Sequence, residues 1–212
     1  MKKLYALIVV TVLLLVVQAG ATVVIGQVGS NLPMPTANYF GSGPQTFGNY
    51  TWSSTNATTQ GGSVYGYTGS YGYLGNGAWD GALGPMAGVN DSFDVYGVTD
   101  TMTFAFATPV SYVGGFFNYV PGGSTPTTLA VYDTSNALIE SYNLSFLTGG
   151  GTNTGQWIRF VESMPIGSFT MTGNYVGVTG QAVTPTPEPG TIALLGSGIV
   201  GLAGFARRKF ML

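Results

Sequence analysis

Residues 101–106 read Thr-Met-Thr-Phe-Ala-Phe, and this stretch decides the fold class. Apolar side chains occupy every second position, at Met102, Phe104 and Phe106, with smaller or polar ones between them. Successive side chains of an extended chain point to opposite faces, so this spacing predicts a strand with one buried face.

The same alternation recurs on the C-terminal side of this stretch. Turn residues separate the segments roughly every 8–12 positions, which is typical of an antiparallel sandwich or barrel. Asp133-Thr-Ser-Asn136 suits a hairpin turn, and Gly114-Gly115 suits a bulge or a close backbone approach. We therefore predict an all-β, antiparallel β-sandwich, jelly-roll-like, with regular strands inside residues 94–180. The further predicted strands are 110–119, 127–132, 137–142, 156–161 and 168–172.

Composition excludes several kinds of chemistry. The 212 residues include no Cys and no His, and only 7% are charged, against about 25% in typical soluble domains. Histidine is the commonest general base and metal ligand, and cysteine supplies thiol nucleophiles and thiolate metal sites. We therefore predict a protein that is not an enzyme and that holds no cofactor.

The charges are unevenly placed. Five of the six basic residues lie close to the chain ends, and Arg159 is the only cation between residues 21 and 188. Eight acidic residues share that body with Arg159, which gives it a net charge of −7. Nucleic acid is excluded as a partner because a phosphate backbone requires several Lys or Arg contacts.

The N-terminal segment has the layout of a secretory signal peptide. Lys2 and Lys3 precede the apolar stretch 4–17, and the small residues Ala19 and Ala21 follow it. This order predicts export and cleavage after Ala21 by signal peptidase, so that residues 1–21 are removed. The alternative is an uncleaved transmembrane anchor.

The C-terminal segment, 184–212, combines a Pro-rich stretch, the uncharged residues 191–206 and the cluster Arg207-Arg208-Lys209. As a helix, residues 191–206 would extend about 24 Å, short for a transmembrane span. The basic cluster predicts that the C-terminus stays on the cytoplasmic side. An ordinary anchor with a Pro-rich stalk is the alternative to a more specialised signal.

The order of these parts closely resembles the PEP-CTERM protein-sorting signal of Gram-negative bacteria. The tripeptide Pro187, Glu188 and Pro189 precedes a short apolar helix, and Arg207, Arg208 and Lys209 end it. The resemblance implies an inner-membrane-tethered precursor that the membrane enzyme exosortase processes near the tripeptide. It makes the tripeptide the recognition element, the basic cluster the retention signal, and the chain a substrate.

The regular half also resembles the β-sandwich domains of many PEP-CTERM proteins. The shared elements are a Thr-Pro-Val strand end at 108–110, Gly-Phe-Phe at 115–117, the strand 129–133 and the Met-Pro-Ile turn before 171. The body, 22–183, accordingly divides into a Gly/Tyr-rich irregular part, 22–93, and the regular strands of 94–180.

Aromatic residues are dense between positions 39 and 79. One interpretation is a glycan-binding platform for exopolysaccharide, since aromatic faces stack on sugar rings. A second is that the rings complete the core, because each buries a large area; a third is self-association through the Gly-Tyr repeats. The candidate glycan contacts are Trp52, Tyr65, Tyr67, Tyr71, Tyr73 and Trp79.

Acidic residues offer two further sites. Asp91 and Asp94 form a candidate Ca²⁺ site, since Ca²⁺ prefers oxygen ligands, although turn capping explains them better. Glu140 and Glu162 are the only body glutamates, and solvated strand faces are favoured over a glycosidase pair. Arg159 is expected in a salt bridge or a cation–π contact.

Together these features predict an exported structural protein of the cell surface or extracellular matrix. It is tethered to the inner membrane through its C-terminal helix until exosortase acts. The alternative is a carbohydrate-binding module that uses the 39–79 aromatics.

Overall fold

The structure is a computed structural model that describes residues 22–25, 34, 38–56, 63–90, 99–123, 125–185 and 199. Two 3₁₀ turns, Leu74–Asn76 and Gly81–Leu83, interrupt a series of strands. In chain order the strands are β1 (Thr22–Ile25), β2 (Tyr39–Phe40), β3 (Gln45–Phe47), β4 (Tyr50–Ser54), β5 (Val64–Tyr67), β6 (Tyr71–Gly72), β7 (Ala78–Trp79), β8 (Met86–Asn90), β9 (Asp100–Tyr119), β10 (Thr128–Asp133), β11 (Leu138–Asn143), β12 (Gln156–Gly173) and β13 (Tyr175–Pro185).

Two long strands, β9 with 20 residues and β12 with 18, connect both layers of the fold. They pair with each other at both of their ends, and their register shifts between Val161 and Ser168. Each strand bends there and continues from one sheet into the other. Sheet A has the order β3-β4-β9-β12-β10-β11, and sheet B has the order β1-β12-β9-β13-β8-β5-β2.

The core lies between the two sheets. Phe117 of sheet B and Phe169 of sheet A have ring centroids 5.7 Å apart. Met102 and Phe104 are almost fully buried in the same core, as the alternation at 101–106 predicts. Apart from an isolated parallel bridge between Ala78 and Thr152, the pairings of the described strands are antiparallel, so the predicted all-β antiparallel class is confirmed.

The predicted strands are present, but in two cases a pair of predicted strands forms one long strand. Strand β9 joins the predicted segments 101–106 and 110–119, and β12 joins 156–161 and 168–172. Pro109 and Pro165 lie between these segments, in stretches where β9 and β12 do not pair with each other. Proline has no N–H to donate, so the two prolines permit the bends without ending the strands.

The bulge expected at Gly114-Gly115 falls in the neighbouring strand. Pairing of β9 with β12 is continuous through both glycines, whereas β13 bulges opposite Gly115, between Thr179 and Ala182. A Cβ at Gly115 would lie only 2.6 Å from a methyl group of Val178. Close packing between strands therefore explains this glycine.

The two ends of the sandwich differ in construction. We call the end formed by residues 107–109 and 161–165 the bend end, and the opposite end, formed by residues 74–77 and 144–155, the loop end. Buried Asn76 fixes the loop end: its Oδ1 accepts from Thr148 N at 3.2 Å, and its side-chain amide donates to Phe146 O at 3.3 Å. The Gly/Tyr-rich part thus contributes strands to both sheets and also secures the loops of the regular half.

Candidate functional site

The first group of predicted glycan contacts lies inside the sandwich. Trp52 of β4 and Tyr65 of β5 are fully buried, and their rings stack with centroids 5.2 Å apart at 13°. The Tyr65 hydroxyl shares a hydrogen bond with that of Tyr50. Burial raises the pKa of Tyr65 well above its usual value, so this phenol stays neutral within the core.

The second group forms a smaller core under the loop end. Tyr71, Tyr73 and Trp79 are buried there together with Met86, and burial raises the pKa of Tyr73. Tyr67 is half-buried at the margin of this core.

The alternative interpretation, an exposed glycan platform, is therefore corrected for five of the six rings. A ring stacked against other side chains has no free face for a sugar. The competing interpretation, core packing, describes the positions of Trp52, Tyr65, Tyr71, Tyr73 and Trp79.

A carboxyl pair is the most unusual polar feature of the described body. Ile158 and Phe160 of β12 point into the core, and the alternation continues to Glu162, which is only 6% exposed. Glu140 lies on β11 opposite Val131, another fully buried residue, and so faces the same interior. The two carboxyl groups are within hydrogen-bonding reach of each other, and such a bond requires one of them to be protonated.

This arrangement changes the protonation of Glu162. Burial, followed by the hydrogen bond and the charge repulsion from Glu140, raises the pKa of Glu162 to about 7. Arg159 does not offset the charge of the Glu162 carboxylate. It precedes Glu162 by three positions on β12, so its side chain points to the opposite face of the strand. Its guanidinium carbon instead lies 5.8 Å from the centre of the Tyr112 ring, which confirms the predicted cation–π contact.

The pair can hold a proton between two oxygens, but its geometry does not suit glycoside hydrolysis. That reaction requires two carboxyl groups about 5–10 Å apart on either side of the sugar. The expectation of solvated strand faces is wrong for Glu162, because the predicted strand 156–161 stopped one residue before it. Extending the period-two pattern by a single position would have placed Glu162 inside.

Other acids act as caps. Asp80 Oδ1 accepts from Ala82 N at 3.0 Å at the start of a 3₁₀ turn, and Asp100 accepts from the Thr55 hydroxyl at 2.7 Å. Among the described residues, no three Asp or Glu side chains come together in a way that would hold a metal ion. The Ca²⁺ candidates Asp91 and Asp94 lie outside the described residues.

The predicted processing signals also lie outside the described residues. They comprise Ala19 and Ala21 at one end and the tripeptide Pro187, Glu188 and Pro189 with Arg207, Arg208 and Lys209 at the other. Of the predicted helix 191–206, only Ile199 is described. No helix long and apolar enough to cross a bilayer occurs within the described ranges.

The described body is an antiparallel β-sandwich whose last strand continues directly into the C-terminal segment. Residues 185–209 of that segment match the family model of the PEP-CTERM protein-sorting motif. The match contains the tripeptide, the uncharged stretch and the basic cluster, as the sequence predicts. No curated protein and no solved structure matches the chain. The motif implies an exported, membrane-anchored precursor that exosortase processes.

Proposed function

We propose that the chain is an exported structural protein of the cell surface or extracellular matrix, with no catalytic activity of its own. The observation that carries the proposal is the sorting motif at residues 185–209. Signal peptidase removes residues 1–21, and exosortase then acts near Pro187-Glu188-Pro189. The mature β-sandwich is delivered to the cell surface or its exopolysaccharide.

The position of the motif supports this order of events. Strand β13 ends at Pro185, and the tripeptide begins two residues later. A cut at or after the tripeptide therefore leaves every described strand intact.

The composition of the body also supports a role without catalysis. It contains no His or Cys, and the carboxyl pair of Glu140 and Glu162 in its described part faces the core. A carbohydrate-binding role receives no support from the predicted contacts, because five of the six rings are buried.

Mass spectrometry of the termini of the protein from fractionated cells tests the proposal. The parent protein should begin at Thr22, lack the C-terminal basic cluster and appear outside the inner membrane. The E188Q variant should accumulate in the membrane fraction with Leu212 still present. The matched E140Q variant, which changes a glutamate outside the motif, should be processed like the parent.

Recovery of the chain from the cytosol with Met1 and Leu212 both intact would contradict the proposal. A purified mature protein that binds a defined oligosaccharide on a glycan array would instead favour the carbohydrate-binding alternative.

A further inference from the structure

Both ends of the described body leave the sandwich from the bend end. In sheet B, Thr22 pairs with Val161, Val161 pairs with Tyr112, and Tyr112 pairs with Thr184. These four residues form one row across β1, β12, β9 and β13. Adjacent strands lie about 4.8 Å apart, so the two exits are separated by about 14 Å.

The tether from this end to the predicted membrane segment is short. Strand β13 ends at Pro185, and the uncharged stretch begins at Thr191. Six residues reach at most about 20 Å when fully extended. The polar headgroup layer occupies about 5–8 Å of that distance on each side of a bilayer. While residues 191–206 are inserted, the bend end is therefore held within about 15 Å of the headgroups.

The described surface of the bend end is nearly uncharged, and it exposes apolar side chains beside the polar Thr108 and Ser163. Val161 is 40% exposed and Met164 is 49% exposed, and Ala107 and Pro165 beside them are exposed as well. Within residues 107–109 and 161–165 the only charged residue is Glu162, which points into the core.

One exposed carboxylate lies nearby, on the hairpin beside this end. Asp133 Oδ1 accepts from Ser135 N and from Ala137 N, each at 2.8 Å. The hydroxyl of Ser135, together with these backbone donors, holds the pKa of Asp133 below its usual range, so the hairpin keeps one negative charge beside the bend end.

We propose that the bend end is a membrane-docking surface that rests on the lipid headgroups while the C-terminal segment is inserted. The occupant is the bilayer because the tether allows no greater distance. This inference rests on the membrane-anchored precursor of the proposed function.

The loop end provides the contrast. Leu74 and Leu147 there are 80% and 76% exposed, more than Val161 and Met164 of the bend end. However, the stretch of β9 from Val110 to Tyr119 separates the two ends in sheet B, and this length of strand amounts to about 30 Å. The short tether places the bend end beside the bilayer in every orientation of the body, whereas the loop end reaches it only when the body lies along the surface.

Lipid quenching of a fluorophore tests this docking. The full chain contains no Cys, so M164C and L147C each provide a single labelling site, one at each end, for an environment-sensitive dye. T108C gives a second reporter at the bend end. The labelled chains are reconstituted into vesicles of phosphatidylcholine and phosphatidylglycerol, with or without a headgroup-nitroxide lipid.

Nitroxide lipid should quench the dye at positions 164 and 108 at least about twofold, and the dye at position 147 hardly at all. Equal quenching at both ends, or none at positions 164 and 108, would overturn the docking surface. A dye at position 164 that is shielded from aqueous iodide yet insensitive to nitroxide lipid indicates contact with another protein copy and also overturns it. Flotation of the same samples reports anchoring separately: chains that fail to float contradict the anchored precursor, whereas chains that float without quenching contradict only the docking.

Discussion

At the residue scale, Glu162 couples the fold to pH. Its pKa rises from 4.5 to about 7 on folding, so the folded protein binds more protons than the unfolded chain between these values. Where the folded state binds more protons than the unfolded chain, the free energy of unfolding falls as the pH increases. The favourable contribution is therefore complete below about pH 4.5 and is lost as the pH rises to about 7.

The E162Q variant should remove this dependence. Glutamine stays neutral and donates a hydrogen bond to Glu140 without repulsion. After the shift is discounted for solvent screening, we expect E162Q to exceed the parent by about 1–2 kcal/mol at pH 8. In a domain of this size, each 1 kcal/mol corresponds to about 2–4 °C in melting temperature. At pH 4.5 the two proteins should melt within about 2 °C of each other.

Thermal melts from pH 4.5 to 8 measure this difference. E140Q serves as the companion variant, because it removes the hydrogen bond and the repulsion but leaves Glu162 buried, so its profile should keep a reduced dependence on pH. A parent protein whose melting temperature is constant across this range would contradict the buried pair. So would an E162Q variant that is less stable than the parent at pH 8.

At the element scale, the loop that connects β11 to β12 contains two glycines that differ in the space around them. Gly149 and Gly155 both have positive φ, 75° and 82°, a conformation that costs about 1–2 kcal/mol for a residue with a Cβ. A Cβ at Gly149 would meet nothing within 4 Å, whereas one at Gly155 would overlap the carbonyl oxygen of Phe117. The two positions separate backbone strain from steric overlap.

We expect Gly149→Ala to lower the free energy of unfolding by about 1 kcal/mol and Gly155→Ala to lower it by about 3 kcal/mol or more. Urea denaturation of both variants measures the difference. Equal losses would show that Phe117 and the loop move apart freely, which would contradict a fixed loop end.

The strands were predictable where one face is buried. The alternation at 101–106 and the hairpin at Asp133 follow from local rules, and both are present in the structure. The bends were not predictable, because no local sequence signal shows that β9 and β12 each belong to two sheets.

The candidate site was less predictable than the strands, because it depends on contacts between distant residues. The sequence shows that Trp52 is large and aromatic, but it does not show that Tyr65 covers the face of its ring. The carboxyl pair depends on a contact between strands 22 positions apart.

At the scale of the whole molecule, the shared strands tie the two layers together. Strands β9 and β12 each contribute to both sheets, and the main core cluster contains residues of both layers. Neither sheet can lose its central strands without disrupting the other. This architecture favours one cooperative unfolding transition, as small single domains usually show.

The same architecture determines where the chain can be opened. The ends of the body, Thr22 and Thr184, lie about 14 Å apart in one row of sheet B, a distance that a six-residue Gly/Ser linker spans. A circular permutant that joins residues 22 and 185 and opens between Gly122 and Gly123, in an exposed loop between β9 and β10, should keep the far-ultraviolet circular dichroism of the parent body. It should also unfold in a single urea transition.

A second permutant with the same linker, opened between Thr108 and Pro109, divides β9 where it passes from sheet A to sheet B and should lose that transition. Folding of both permutants would show that the continuity of β9 is dispensable, and failure of the first would contradict the shared exit of the two ends.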